Sequence, residues 1–185
     1  MDARIKKTLA KVYRAFGECL QEKDYASLTV EDILRRCNVA RSTFYAHFRT
    51  KDDVLDSFLS NTFHHIFSHS LTQETSHDFS KENAEDFGHL FTHLLYHLRD
   101  ERELVTVILA SSCRQRFLDE LRKAASPLIL RCIETHFFPD NGVPKKLRVD
   151  MTAESFLGLV CHWFSYRCAK EPEEMVGYFL QSAMA

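Results

Sequence analysis

Apolar residues recur at steps of three and four along most of this chain, which is the period of an amphipathic helix. Ile5, Leu9, Val12, Phe16 and Leu20 predict a first helix over about 3–21. Thr29 stands three residues before Asp32, a capping pair, and Val30, Ile33 and Leu34 then share one apolar face, so a second helix is expected to end at Cys37. Asn38 tolerates a left-handed backbone better than any residue except glycine, and the chain can turn sharply there. A third, short helix follows from 40 or 41 to 48. Phe44 and Phe48, four apart, form its inner face. Ser42, Thr43 and Ala46 point away, with Arg41 and Tyr45 on one flank and His47 on the other.

Thr50 and Asp53 repeat the capping pattern ahead of a helix over about 51–70, carried by Val54, Leu55, Phe58, Leu59, Phe63, Ile66 and Phe67. The polar run 72–80 reads as a loop, and helices are expected over 81–98 and 103–110. Ser112 with Gln115 predicts a cap for a long helix reaching about 138, which Pro127 should kink or break. The turn residues of 139–144 read as a loop. Thr152 predicts the start of a helix to 168, and Pro172 that of a last helix to about 184. The chain therefore reads as all-α, with nine or ten helices and no strand.

Two helices joined by a turn of about three residues make a helix-turn-helix, whose second helix enters the major groove of DNA by its N-terminus. Arg41, Ser42 and Thr43 occupy that leading edge. Lys51 begins the next helix, where its ammonium and the free backbone donors can meet a phosphate. A small helical hairpin with a polar outer face would show the same pattern.

The run V-A-R-S-T-F-Y-A-H-F-R-T-K-D-D-V-L, preceded by L-T-V-E-D-I-L-R-R-C-N, resembles the DNA-binding signature of the TetR family of bacterial transcriptional regulators. Asn38 departs from that pattern, because glycine is commonest there. The resemblance implies a phosphate contact at Thr29, base and backbone readers at Arg41, Ser42, Thr43 and Tyr45, and phosphate contacts at His47 and Lys51. It implies a DNA-binding domain over 1–50 and a helical effector-binding and dimerisation domain over 51–185. It further implies a homodimer paired through its last two helices on an inverted-repeat operator in double-stranded DNA. An effector pocket lined by Phe67, Phe91, Phe117 and Trp163 follows from the same likeness, although core is the plainer reading for each of them. The function so implied is a repressor released by a small-molecule effector of unknown identity.

Charge agrees with this division. The net charge of −2 hides ten Lys or Arg against six Asp or Glu in residues 1–50, and fourteen against twenty in the remainder. Neither an apolar run long enough to span a membrane nor a secretory signal is apparent, so the cytoplasm is the expected compartment and no membrane partner is expected. The six cysteines include no C-x-x-C pair and read as small buried hydrophobes, with thiol sensing as the alternative. The apolar side chains of the last two helices, Phe156, Leu157, Leu159, Val160, Trp163 and Phe164, then Met175, Val176, Phe179 and Leu180, must be covered by the body or by a second subunit.

His89, His93 and His97 recur at steps of four and form a stripe expected on the outward side of their helix. Two of them can share a zinc or nickel ion, but a third ligand must come from elsewhere, with His64, His65 and His69 as candidates. A solvated or interfacial face is the plainer reading, so no metal and no cofactor are assigned. Neither H-E-x-x-H nor G-x-S-x-G occurs, and five glycines leave little room for a phosphate loop. A di-iron bundle would need two Glu-x-x-His units; the chain offers Glu74 with His77 and Asp86 with His89, so no enzyme is expected. The competing reading is a helical metal-binding or protein-interaction module whose helix-turn-helix does not read DNA.

Overall fold

The computed structural model describes residues 3–63 and 87–184 in full and 64–68 as backbone. The described residues form α1 (Ala3–Glu22), a 3-10 turn (Tyr25–Ser27), α2 (Val30–Cys37), α3 (Arg41–Tyr45), α4 (Lys51–Ser68), α5 (Phe87–Asp100), α6 (Arg102–Ala110), α7 (Arg114–Glu134), α8 (Lys145–Ser165) and α9 (Pro172–Met184). The protein is all-α, with nine α-helices and no strand among these residues. None of these helices is long and apolar enough to cross a membrane. The expected loop at 72–80, the start of the helix expected at 81, His69, His77 and Asp86 lie outside the described residues, as do the side chains of His64, His65 and Phe67.

Contacts divide the chain into two compact units, Met1–Asn61 with Glu103–Phe117, and Thr62–Arg102 with Leu118–Ala185. The first unit thus holds more than residues 1–50. It gathers the N-terminal helices, the beginning of α4, nearly all of α6 and the first turn of α7. Its core is built from Val12 and Phe16 of α1, Ile33 of α2, Phe44 and Phe48, Val54, Leu55 and Phe58 of α4, and Val105 and Ile108 of α6, all essentially inaccessible. The Tyr13 ring meets Phe58 edge-on at 5.5 Å, and its hydroxyl lies 2.8 Å from Ser57 Oγ, pinning α1 along α4. A Cβ at Gly17 would stand 3.1 Å from Leu104 Cδ1, so a residue without a side chain lets α6 approach α1 there.

The second unit is centred on rings. Phe91 packs against Phe156 at 5.2 Å and Phe179 at 4.9 Å, which ties α5 to α8 and α9. Tyr96 donates to Glu173 at 2.6 Å and Arg99 to Glu171 at 2.6 Å, fastening α5 to the start of α9 on the wet side. Of the apolar residues of α8 and α9 named above, all but Leu159 and Leu180 are buried within this unit, so the body itself covers most of them.

Four expectations differ from the structure. α7 passes through Pro127 without a break and ends at Glu134 rather than near 138. Ser112 does not act as the predicted cap, because its hydroxyl donates to Asp24 at 2.7 Å, and α7 starts two residues later. α8 begins at Lys145, so Thr152 lies in its interior; Pro144, at the N-cap, marks the true start. The histidine stripe is not outward, for His93 is 1% exposed and its Nε2 lies 3.0 Å from that of His97. α5 is enclosed on most of its circumference, with Phe87, Phe91, Thr92, His93, Leu94, Leu95 and Leu98 all buried, which a single apolar stripe does not foretell.

Candidate nucleic-acid interface

The reading head begins with the cap of α2. Asp32 N donates to Thr29 Oγ1 at 3.3 Å, while Thr29 N donates to Asp32 Oδ2 at 3.0 Å, so each residue satisfies a backbone donor of the other. Lys23 donates to the same carboxylate at 2.8 Å and Arg35 to its second oxygen at 2.5 Å. The hydrogen bond from Lys23, then that from Thr29, holds the Asp32 carboxyl well below the ordinary carboxylate value. The helix stops at Asn38, which is left-handed at φ 49° and ψ 43°.

α3 is shorter than predicted, but Ala46 N and Phe48 N continue its pattern onto Ser42 O and Phe44 O at 3.1 and 2.9 Å. Phe44 and Phe48 stack 5.4 Å apart beneath it and are buried. Arg41, Ser42, Thr43, Tyr45, Ala46 and His47 are all exposed, Tyr45 at 47%. An exposed tyrosine beside exposed hydroxyls and a guanidinium is a surface able to hydrogen-bond base edges and phosphates. Arg41 is held in the unbound chain by an ion pair with Glu31, both groups more than half exposed. Such a pair opens at small cost, so it parks the guanidinium without removing it from use.

α4 starts with its own reciprocal cap. Asp53 Oδ2 accepts from Arg49 N at 2.7 Å and Thr50 N at 2.9 Å, and Asp53 N donates to Thr50 Oγ1 at 3.1 Å. In the unbound chain the Lys51 ammonium is engaged by backbone carbonyls. Its Nζ donates to the carbonyls of Tyr25, Ala26 and Leu28 at 2.6, 3.1 and 2.9 Å and lies 4.7 Å over the Tyr25 ring. An ammonium has three donors, and these bonds use all of them. The three carbonyls belong to the 3-10 turn and its exit, which the hydrophobic pattern did not reveal.

That turn gathers several residues that sequence reasoning passed over. Asp24 caps it, accepting from Ala26 N at 3.0 Å. Tyr25 donates its hydroxyl to Asp52, and burial, then this bond, pushes the phenol well above its ordinary value. Arg116 of α7 donates to Asp52 at 2.9 Å and to Asp56 at 2.7 Å. Asp24 and Ser27 are turn-forming residues and were a legible signal; the partners supplied from 112 and 116 were not.

The residues of the expected effector pocket are not brought together in one unit. Phe117 lies in the first unit, whereas Phe91 and Trp163 lie in the second. Phe91 is closed in by rings, and Trp163 is 1% exposed with its indole N–H donating to Lys170 O at 2.9 Å. All six cysteines are thiols, four of them buried, and burial pushes the Cys132 thiol up to about 12. Among the described residues no group of three or more His, Cys, Asp or Glu is placed to hold a metal.

Comparison with known proteins places this geometry. The model of bacterial regulatory proteins of the TetR family matches residues 13–58, and a transcriptional-regulator C-terminal region matches residues 85–184. YxbF, a helix-turn-helix-type transcriptional regulator of Bacillus subtilis, is 26% identical over 98% of this chain. The chain spans 46% of that relative's length. The crystal structure of a TetR transcriptional regulator from Streptococcus agalactiae is 26% identical and superposes with a TM-score of 0.66, covering 98% of this chain and 96% of its own. A TetR-family regulator from Syntrophomonas wolfei, 22% identical, superposes at 0.67 over 96% of this chain and 93% of its own. With the second model alone matching more than half of the chain and the first falling on the capped helix-turn-helix, this chain belongs to the TetR family of DNA-binding transcriptional regulators.

Proposed function

We propose that this regulator is a homodimeric repressor that binds an inverted-repeat operator and leaves it when a small molecule enters the second unit. The observation that carries the DNA-reading surface is α3 itself, with Phe44 and Phe48 buried beneath and Arg41, Ser42, Thr43, Tyr45 and His47 exposed above. In this reading those five side chains meet bases and backbone, and Thr29 meets a phosphate at the start of α2. Residues 1–50 carry recognition, while 51–185 carry effector binding and pairing. The cytoplasm is the compartment, and no catalysis is involved.

Pairing is supported by the sides of α8 and α9 that remain open. Leu147 and Met151 are 51% and 59% exposed, and Ser155, Gly158 and His162 continue the same side of α8. No atom lies within 4 Å of a Cβ built at Gly158 or Gly177, so two such faces can approach closely. Tyr178 and Met184 extend the patch on α9. A two-fold axis through it supplies the second reading head that a palindrome needs.

In this reading the effector binds the DNA-incompetent state better, and by reciprocity DNA then weakens the effector. The test is selection of bound fragments from a random DNA pool, followed by Arg41→Ala. An inverted repeat should emerge. The variant should lose about 1–3 kcal/mol and its preference at one base of each half-site. Absence of sequence enrichment with folded protein, or an Arg41→Ala variant with unaltered preference, refutes the assignment.

A further inference from the structure

The turn between α1 and α2 is held in part by two residues outside the recognition surface, Ser112 and Arg116. Ser112, at the corner between α6 and α7, donates its backbone N–H to Asp24 Oδ1 at 3.1 Å and its hydroxyl to Oδ2 at 2.7 Å. Asp24 in turn accepts from Ala26 N, so the corner grips the residue that caps the turn. Arg116, one helical turn further on, donates to Asp52 and Asp56 of α4, and Asp52 accepts the Tyr25 hydroxyl. The two grips are separate, one on Asp24 and one on Tyr25.

The energetics of the Arg116 grip point away from a stabilising role. Arg116 is 40% exposed and its carboxylate partners 47% and 50%, and ion pairs as wet as these contribute little to folding. They do fix geometry, because a guanidinium across two carboxylates and a backbone-plus-hydroxyl pair on one carboxylate each specify an orientation. The turn they orient runs through Leu28 directly into Thr29, the cap of α2, two residues beyond Ser27.

We infer that Ser112 and Arg116 are positioning residues for operator binding, acting through Asp24, and through Asp52 and Tyr25, on the turn that sets the start of α2, and never on DNA itself. The inference rests on the operator-binding reading above. The two grips act through side chains 64 and 88 residues apart in the chain.

The full-length chain tests this with Arg116→Gln, Asp52→Asn, the two together, and Ser112→Ala, each titrated with the pool-selected operator at several salt concentrations and followed by thermal unfolding. Each single variant should weaken operator binding between about twofold and thirtyfold, the fold-change for networks of this kind. The salt slope should not change, because no phosphate contact is lost. The double variant should bind as the weaker single does, since both remove one bridge. Should Arg116→Gln unfold, Ser112→Ala, which deletes one hydroxyl, decides. Unchanged affinity in the folded variants, additive losses, or a salt slope shallower by about one would overturn the inference. A wild-type chain that enriches no sequence overturns the operator reading and this inference together; enrichment with indifferent variants overturns this inference alone.

Discussion

Lys51→Ala separates two roles that predict different measurements. In the structure the ammonium makes three hydrogen bonds to backbone carbonyls, those to Tyr25 and Leu28 part-buried and that to Ala26 exposed. Each part-buried bond contributes on the order of 1 kcal/mol net, and the exposed one close to nothing, since water replaces it. The contact with the Tyr25 ring at 4.7 Å adds about 0.5 kcal/mol. Removing the side chain should therefore cost about 2–3 kcal/mol. For a chain of this size that lowers the Tm by roughly 5–10 °C. Operator binding should weaken as the turn loosens, with the salt dependence preserved, because the ammonium was not on a phosphate. The contrary role, a direct phosphate contact, predicts an unchanged Tm and a slope of log K against log salt shallower by about 0.9. The assay is thermal unfolding beside operator titrations between about 50 and 200 mM salt. Lys51→Met, which keeps the methylenes over the ring, controls for lost packing. An unaltered Tm with the shallower slope would refute the reasoning.

Gly158→Arg should abolish the dimer while leaving the fold intact, because nothing lies within 4 Å of its would-be Cβ and arginine favours a helix more than glycine does. Light scattering that still returns a dimer mass would place the pairing surface elsewhere. Acid should loosen the reading head. Asp24, Asp32 and Asp53 are all held below their ordinary values, by Ser112, by Lys23 and by the Arg49 backbone N–H in turn. Folded values below unfolded ones stabilise fully above the unfolded pKa of about 3.9, and that stabilisation disappears as pH falls through the folded values. The Tm should thus be level down to about pH 5 and drop below about pH 4. Asp32→Asn with Asp53→Asn should flatten that drop, and an equally steep drop in the double variant would contradict it.

What the sequence determined is the part of the reading head whose interactions close within a few residues. Thr29 and Asp32 meet across one turn of helix, Asn38 takes a left-handed backbone because its own side chain permits it, and Phe44 and Phe48 share a face because of the helical repeat. Tertiary structure alone decided which partner each long polar side chain takes. Arg41 finds Glu31, ten residues away, and Lys51 finds the carbonyls of a 3-10 turn that carries no hydrophobic period. Ser112 had a local partner pattern in Gln115 and took Asp24 instead, because a distant carboxylate accepts two of its hydrogen bonds at once. His93 follows the same logic on the apolar side: periodicity places a residue on a helix face, but only the packing of neighbouring helices settles how much of the circumference is buried. Local hydrogen bonds and helical period are written in consecutive residues, whereas burial and long-range polar pairing depend on which surfaces the folded chain brings together.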